Sequence, residues 1–367
     1  MDTKYIINTV YETNIFLDSL RKDSEPSYYP VKQGLTKYGR KINLGFTCYG
    51  IKLKSLTGEW SNFSQSQKDI FINYLKSFQN SSSNFPENYF IDEELLKSYN
   101  DPFTYQNLKF NIKKIVSNFS SKTFQTKELL VSQSINAENK QTISTFYEIG
   151  HKNIFKSNNE YSEVGMIKSY LDSLDWNRPW SAGAQFSSLC VYSQTQGFNY
   201  DDELMDFIYE KLNKDTGSFH NPQVTNSREI INGAMKVITG LDWINHEIPL
   251  PNKLIDFCID NMPVLEGCDV VDFIYVLYKC SNQNQYRIKE VNEILENLVD
   301  EIMMLFHIND KGFSYFKNKS QNYYYGTNIS KGLDTADIHG TLLCTWGLNM
   351  ILDHFNKLEK NMKVIKP

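Results

Sequence analysis

The sequence lacks the features of membrane-spanning, secreted and nucleic-acid-binding proteins. No apolar run approaches the roughly 18 residues that a membrane-spanning helix needs. The first residues, MDTKYIINTVYETN, do not combine a basic start with a long apolar core. The 38 basic and 43 acidic side chains give a net charge of −5 and form no basic stripe. We therefore expect a soluble, cytoplasmic protein without a nucleic-acid partner or an integral membrane segment.

Short motifs for nucleotide binding and nucleophilic catalysis are also missing. The chain contains no G-x-G-x-x-G, no G-K-[ST] and no G-x-S-x-G pattern, which argues against dinucleotide-binding, P-loop and serine-hydrolase proteins. The acidic run DDELMD at 201–206 has a superficial likeness to an aspartate-rich prenyl-diphosphate motif. Its position on an amphipathic helical pattern predicts a solvated face instead.

Cysteine is sparse and shows no metal or redox spacing. None of the six cysteines belongs to a C-x-x-C pair, and most lie in apolar helical patterns such as SSLCVY and TLLCTW. Free cysteine behaves as a small hydrophobic residue and is among the most buried residue types. We therefore predict reduced, buried thiols.

The chain does contain ample material for a core, with 41% hydrophobic residues, 23 Phe and 23 Tyr. Apolar residues recur with the helical period of about 3.6, and strand-like alternation is scarce. One group of predicted helices is amphipathic with a charged face: 61–79, 161–174, 201–214, 251–261 and 287–306. A second group is apolar on most sides and rich in small residues: 43–56, 140–150, 178–194, 228–244, 268–280 and 337–355.

The alternation of these two groups predicts an all-α fold built from helix pairs. A helix that is apolar all round is buried on all sides, and an amphipathic helix covers it from outside. Six buried helices that recur at about 40 to 50 residues, with two longer gaps, predict an (α/α)6 toroid of inner and outer helices. We expect an irregular N-terminal wrap over 1–40, one toroid domain over 41–357, a tail over 358–367, and a further outer helix within 102–119.

Short aromatic turns separate outer helices from inner ones. They are NFPENYF at 84–90, DTGSFH at 215–220 and KGFSYF at 311–316, where Gly or Asn permits the positive φ of a turn. Together with the alternating helices between about residues 40 and 355, these turns resemble the α/α-toroid superfamily of terpenoid cyclases and protein prenyltransferase β subunits. The resemblance implies an enzyme that acts on an isoprenoid or another hydrophobic substrate in a central cavity.

The same resemblance implies a metal site. Prenyltransferase β subunits hold zinc with an Asp-x-Cys at the start of one inner helix and a His at the start of a later one. The corresponding positions here are Glu266-x-Cys268, with Asp269 beside it, and His339 in DIHGTLLCTWGL. Glu stands where the family has Asp. Zinc is the one cofactor that the resemblance implies.

Three acids and a histidine near helix starts are the catalytic candidates. Parallel inner helices bring their N-termini to one mouth, whose unpaired N–H groups create a positive potential. Asp272 lies one turn inside an apolar helix, where a buried carboxylate needs a partner. We therefore expect it to be an acid–base group, a metal ligand or one half of a structural ion pair. Asp334 and Asp337 belong to LDTAD, which lacks the D-x-D-D motif of squalene-hopene-type cyclases, and Asp337 also suits a helix cap. His339 is expected to be neutral, as a general base or zinc ligand requires.

The stretch DWNRPWSAGAQ predicts a ligand-binding wall at the same mouth. A Pro at the first helical position is favourable, and it would place Arg178, Trp180 and Gln185 near the mouth, with Arg228 at the next helix start. Arg can bind a phosphate or carboxylate, and Trp can stack on a sugar or shield a carbocation. The alternative is that Trp180 only closes the end of the toroid.

Three functions therefore remain open from the sequence. The first is a cyclase- or transferase-like enzyme that acts on an isoprenoid with Asp272, Asp337 and His339. The second is a glycan-processing (α/α)6 hydrolase or lyase, and the third is a non-catalytic binding or scaffold protein. The lining of the cavity is expected to separate them. A tunnel of Phe and Leu predicts an isoprenoid, a cleft of Trp and Tyr with polar groups predicts a glycan, and a filled centre predicts a scaffold.

Overall fold

The computed structural model describes residues 2–80, 85–102, 126–153, 155–157, 165–264 and 267–367. Within these ranges the chain is mainly helical, which confirms the prediction of an all-α protein. The helices are α1 (Thr3–Ser19), α2 (Lys37–Lys41), α3 (Leu44–Leu56), α4 (Glu59–Asn62), α5 (Gln65–Lys76), α6 (Glu93–Asn100), α7 (Lys127–Glu148), α8 (Met166–Ser173), α9 (Pro179–Gln196), α10 (Asp201–Lys211), α11 (Ser227–Trp243), α12 (Pro251–Asp260), α13 (Asp269–Gln283), α14 (Ile288–Met303) and α15 (Ile338–His354).

Three antiparallel two-stranded sheets interrupt the helices in the described ranges. The strands are β1 (Gln79–Asn80), β2 (Tyr89–Phe90), β3 (Phe306–His307), β4 (Gly312–Phe313), β5 (Tyr323–Tyr324) and β6 (Thr327–Asn328). The pairs are β1 with β2, β3 with β4 and β5 with β6. Each strand has two residues, so the sheets act as tight connections between helices.

The helices predicted to be apolar all round are the most buried helices of the described chain. All 13 residues of α3 are buried, and α9, α11, α13 and α15 are buried along most of their length. Helix α3 packs on α7, α7 on α9, α9 on α11, α11 on α13, α13 on α15, and α15 again on α3. The amphipathic helices α12 and α14 pack against α13, as expected for helices with one apolar face.

Neighbouring buried helices meet at their like ends. The main-chain N–H of Trp180, at the start of α9, donates to Glu229 at the start of α11. Arg228 pairs with Asp269, which joins the starts of α11 and α13. At the other end, Asn349 of α15 donates to the carbonyl of Leu56, the last residue of α3. These helices therefore run in the same direction, and several starts gather at one end.

Two helix boundaries differ from the prediction. The expected irregular wrap over 1–40 is wrong for its first half, because α1 is a 17-residue helix whose N-cap Asp2 accepts from the N–H of Tyr5. Its buried face includes Ile6, Val10 and Leu17, at helical spacing. Helix α7 begins at Lys127 rather than near 140, since the Thr126 hydroxyl caps it. The outer helix predicted within 102–119 lies almost wholly outside the described residues.

The Gly-aromatic segments form turns, as predicted. In DTGSFH, Gly217 has φ +71° and Leu212 bridges to Phe219. In KGFSYF, β3 and β4 close the turn. Phe219 and Phe313 are both fully buried, so each turn anchors the connecting chain to the core.

The six cysteines are buried and free, which confirms the prediction for them. Within the described ranges, no helix combines the length and the apolar character needed to cross a membrane. The tail reaches back over the C-terminal ends of the buried helices: the N–H of Lys363 donates to Leu56, and the Lys366 ammonium donates to the carbonyl of Asp242 at 2.6 Å. This end of the buried helices is therefore covered by chain.

Candidate functional site

A cavity of about 530 Å³ lies among the buried helices. Helices α3, α7, α9, α11, α13 and α15 all contribute side chains to its lining. Tyr315 and Tyr325, from the segment between β4 and α15, complete the wall, and Ile365 and Pro367 of the tail contribute to it. The cavity is therefore a shared product of residues far apart in the chain.

The aromatic side chains of the described lining are all tyrosine or tryptophan. They are Tyr49, Trp180, Tyr315, Tyr325 and Trp346. Both residue types offer a flat apolar face together with a polar O–H or N–H group. The lining thus combines Tyr and Trp rings with aliphatic side chains such as Leu342 and Leu343.

His339 lies between two of these rings. Its imidazole is 4.8 Å from the Tyr49 ring at an interplanar angle of 9°, and 5.0 Å from the Tyr315 ring at 29°. Burial, aided by the positive charge of Lys236, lowers the pKa of His339 to about 3. The imidazole is therefore neutral at ordinary pH, and its Nδ1 has no hydrogen-bond partner among the described residues.

Asp272 is the carboxylate of the described lining. Its Oδ1 lies 4.0 Å from the Lys236 ammonium, whereas its Oδ2 has no hydrogen-bond partner within the described part of the chain. Burial raises the pKa of Asp272 to about 6, against the opposing attraction of Lys236. The predicted need for a partner is met by Lys236, which the sequence had not indicated. This carboxyl group changes its protonation state near neutral pH.

The described residues do not assemble the zinc site that the resemblance implies. Cys268 and His339 both line the cavity, and burial raises the pKa of the Cys268 thiol to about 12. No cluster of three or more potential metal-ligating side chains occurs in the described ranges, and a catalytic zinc site requires three protein ligands. Glu266 lies outside the described residues, so zinc binding stays a prediction and no chemical step is assigned to it.

Asp337 has a well-defined structural environment. Its Oδ1 accepts from the N–H of Gly340 at 2.7 Å and caps α15. Its Oδ2 accepts from the N–H groups of Tyr315 at 2.7 Å and Gln321 at 2.9 Å. Burial raises the pKa of Asp337 to about 6. The carboxylate thus holds the segment that carries Tyr315, and Asp337 is not part of the described lining.

The remaining predicted acids and arginines lie away from the lining as described. Asp334 is exposed, and the closest recorded approach to it is that of His307 Nε2 at 3.9 Å. Asp269 is buried and accepts from Arg228 Nε and from Asn232, both at 2.7 Å, which ties α11 to α13. Arg178 is exposed at the start of α9.

Gln185 is also placed by contacts with protein groups. It is buried, and its side-chain oxygen accepts from Asn136 at 2.8 Å and from Tyr170 at 3.0 Å. Of the four residues predicted to bind substrate, Trp180 alone belongs to the described lining of the cavity. Gln185 instead links α9 to α7 and α8.

Three lysines in the lining were missed by the sequence analysis. Lys52, Lys140 and Lys236, which we call the cavity lysines, come from α3, α7 and α11. Lys52 donates to the Ser144 hydroxyl at 2.8 Å, and Lys140 donates to the main-chain oxygen of Pro367 at 3.1 Å. Lys236 interrupts the otherwise uncharged stretch GAMKVITG, which was a usable signal, whereas Lys52 and Lys140 lie two residues from the charged Lys54 and Glu138.

Comparison of this chain with protein-family models, curated protein sequences and solved structures found no match. The contacts, charges and shape of the cavity are therefore the basis for assigning its chemistry.

Proposed function

We propose that the chain is an α/α-toroid enzyme that binds and processes a glycan in its central cavity. The toroid is supported by the order of helix contacts, in which α15 returns to α3 after α7, α9, α11 and α13. It is supported further by the amphipathic helices that pack outside α13. A ring of parallel helices explains why one cavity receives residues from all six.

The observation that carries the substrate class is the aromatic lining. Tyr49, Trp180, Tyr315, Tyr325 and Trp346 supply ring faces for sugar stacking and O–H or N–H groups for sugar hydroxyls. The lining also includes uncharged polar side chains, among them Gln141 and Ser181. Specificity for a sugar requires several such polar groups at fixed positions on an otherwise apolar wall.

The proposed chemistry is acid–base catalysis by Asp272, with His339 as a neutral hydrogen-bonding group in the same cavity. Asp272 exchanges a proton near pH 6, and His339 is a neutral imidazole above about pH 3. A group whose pKa lies near the working pH is an effective proton donor or acceptor. Above about pH 6 the ionised Asp272 can take a proton from the substrate and return it to the leaving oxygen, while the neutral His339 imidazole can form a hydrogen bond with the substrate.

The single carboxylate in the described lining favours elimination over hydrolysis. Glycosidases that hydrolyse their substrate use two carboxyl groups, about 5 to 10 Å apart, on either side of the scissile bond. The described lining contains Asp272 as its acid. A lyase reaction, in which a C–H proton is removed and the glycosidic oxygen leaves, needs a base and an acid but no second carboxylate.

The test is incubation of the purified chain with neutral and acidic oligosaccharides, followed by mass spectrometry of the products. Elimination conserves the total mass of the substrate and creates an ultraviolet-absorbing double bond, whereas hydrolysis adds one water. We expect products without added water, their loss in Asp272→Asn, and unchanged activity in Asp334→Asn, which alters an exposed aspartate. Failure of every oligosaccharide to bind or react contradicts the glycan assignment.

An isoprenoid enzyme is the second candidate, because the lining also includes aliphatic side chains. Met235, Leu342, Leu343 and Ile365 all belong to the lining. A prenyl chain would lie against these side chains, with the Tyr and Trp faces stabilising a positively charged intermediate. Turnover of a prenyl diphosphate, together with inertness toward oligosaccharides, would establish this function in place of the first.

A further inference from the structure

The three cavity lysines place more positive than negative charge in the described lining. Lys236 has Asp272 at 4.0 Å. Lys52 donates to a hydroxyl and Lys140 donates to an oxygen of Pro367, the last residue of the printed sequence. Neither lysine forms a salt bridge with an acidic side chain within the described ranges. Glu148, a carboxylate whose charge reaches Lys52, is paired with Lys363.

Such an arrangement is costly in a folded protein. A buried charge needs an opposite charge and several hydrogen bonds to offset its lost hydration. Burial lowers the pKa of Lys52 to about 8. Burial, with the positive charges of Lys52 and Lys236, holds the pKa of Lys140 well below its usual range. Perturbed lysines that meet in one cavity are typical of functional sites.

Other polar groups of the same lining also lack protein partners. Ser187 Oγ and Trp346 Nε1 belong to lining residues, and neither has a hydrogen-bond partner in the described part of the chain. Each is a donor, as is each N–H of an ammonium group. Lys52 and Lys140 each have one recorded acceptor in the described structure, although an ammonium group carries three N–H donors.

We propose that Lys52, Lys140 and Lys236 form a binding site for an anionic group of the ligand, a carboxylate or a phosphate. The inference rests on the proposed function for the rest of the ligand and narrows its substrate class to an acidic glycan. An anion among the three ammonium groups supplies the missing charge and accepts hydrogen bonds from three helices at once. A uronate carboxylate and a prenyl diphosphate share this chemistry, so the experiment must separate them.

The first experiment is isothermal titration calorimetry of the full chain at pH 7.5 with four probes. They are a galacturonate trisaccharide, a neutral galactose trisaccharide, inorganic pyrophosphate and geranyl diphosphate. We expect the galacturonate trisaccharide to bind, and the neutral trisaccharide to bind at least about tenfold more weakly, because a hydrogen bond to a charged group is lost. Preference for geranyl diphosphate would retain the anion site and transfer the substrate class to the isoprenoid candidate.

The variants Lys52→Met, Lys140→Met and Lys236→Met test the residues themselves. Each removes the charge and keeps the length of the side chain, and each should weaken anion binding by about tenfold or more. Lys289→Met, on the exposed face of α14, is the matched control and should bind as the unaltered chain does. If Lys52→Met does not fold, the half-buried Lys236 still provides the test.

Proton uptake on binding is a second readout. An anion raises the pKa of the cavity lysines, so binding at pH 7.5 should take up protons, seen as a binding heat that depends on the buffer. The other titratable groups of the described lining are Asp272, His339, Cys268 and the tyrosines. Asp272, with a pKa of about 6, is ionised at pH 7.5 and would also take up protons beside a bound anion, so the same titration with Asp272→Asn assigns the remaining uptake to the lysines. His339, Cys268 and Tyr315 titrate far from this pH.

Two results would overturn the anion site. One is the absence of binding by all three anionic probes. The other is that the neutral and acidic trisaccharides bind with equal affinity and that none of the three lysine substitutions changes this affinity. This second result would retain the glycan function and reject the lysine site, so the two proposals can fail separately.

Discussion

Gly340→Ala tests how closely α15 packs against the preceding segment, which carries Tyr315 of the cavity wall. A Cβ at position 340 would lie 2.4 Å from both the carbonyl carbon of Ser314 and the nitrogen of Tyr315. Non-bonded carbon atoms prefer about 3.5 to 4.0 Å, so the helix and the segment would have to separate by roughly 1 Å. The atoms in the way are main chain and cannot turn aside as a side chain does.

Hydrogen bonds across the same contact determine the size of the effect. Asp337 accepts from the N–H of Tyr315 at 2.7 Å, and Thr341 accepts from the N–H of Phe313 at 3.0 Å. Overpacking costs about 1 to 3 kcal/mol, and weakening two hydrogen bonds adds about 2 kcal/mol. Ala gains about 1 kcal/mol over Gly within a helix. The expected net loss in the free energy of unfolding is about 3 kcal/mol.

Gly347→Ala is the matched control on the same helix. Its Cβ would meet the side-chain ends of Ile302 at 3.2 Å and Ile274 at 3.5 Å, which can adjust. The helix preference for Ala then dominates, and stability should change by between zero and about 1 kcal/mol in the favourable direction. Urea unfolding, followed by circular dichroism at 222 nm, measures the stability of both variants. Equal effects of the two substitutions, or a neutral Gly340→Ala, would refute the close-contact argument.

Three further predictions concern buried ionisable groups. Because burial raises the pKa of Asp272 to about 6, its ionised form is disfavoured in the folded state; Asp272→Asn should therefore raise the free energy of unfolding by up to about 3 kcal/mol at pH 7.5. This gain in stability should fade as the pH is lowered through 6 toward 4. If Asp272→Asn shifted the urea midpoint equally at pH 4.5 and pH 7.5, the result would contradict this expectation. Burial disfavours the charged form of Lys140 and holds its pKa well below its usual range, so Lys140→Met should stabilise the chain by about 1 to 4 kcal/mol at pH 7, and by less at pH 10, where the lysine of the unfolded chain also begins to lose its proton; a loss of stability at pH 7 in thermal unfolding would be the opposing result. Tyr324→Phe removes the donor to the buried carboxyl of Glu138, now 2.9 Å away, and should cost about 1 to 3 kcal/mol in urea unfolding, with an unchanged midpoint arguing against a role for this bond.

The periodic pattern of the chain was enough to locate most helices. Residues 43–56 were predicted as a fully buried helix, and α3 spans Leu44–Leu56 with every residue buried. An apolar helix in water has no stable alternative to burial, so the local pattern predicts the environment. The same pattern was overlooked in α1, where Ile6, Val10 and Leu17 form a buried face with helical spacing.

The site was predicted less completely than the fold. His339, Cys268, Asp272 and Trp180 were selected for their positions near helix starts, and all four belong to the cavity lining. Asp337 was selected for the same reason, yet its oxygens accept from main-chain N–H groups. A helix start predicts that polar groups gather there, but a cap and a catalytic acid have the same sequence signature.

The sequence by itself determined which segments become helices and which of them are buried, because helical periodicity and burial depend on residues a few positions apart. It could not determine which polar side chains meet across the cavity. His339 lies between Tyr49 and Tyr315, and Lys52, Lys140 and Lys236 come from three helices. These contacts depend on how each packed helix is rotated about its axis and shifted along it relative to its neighbours. Only the tertiary structure decides those, since contacts between distant segments set them.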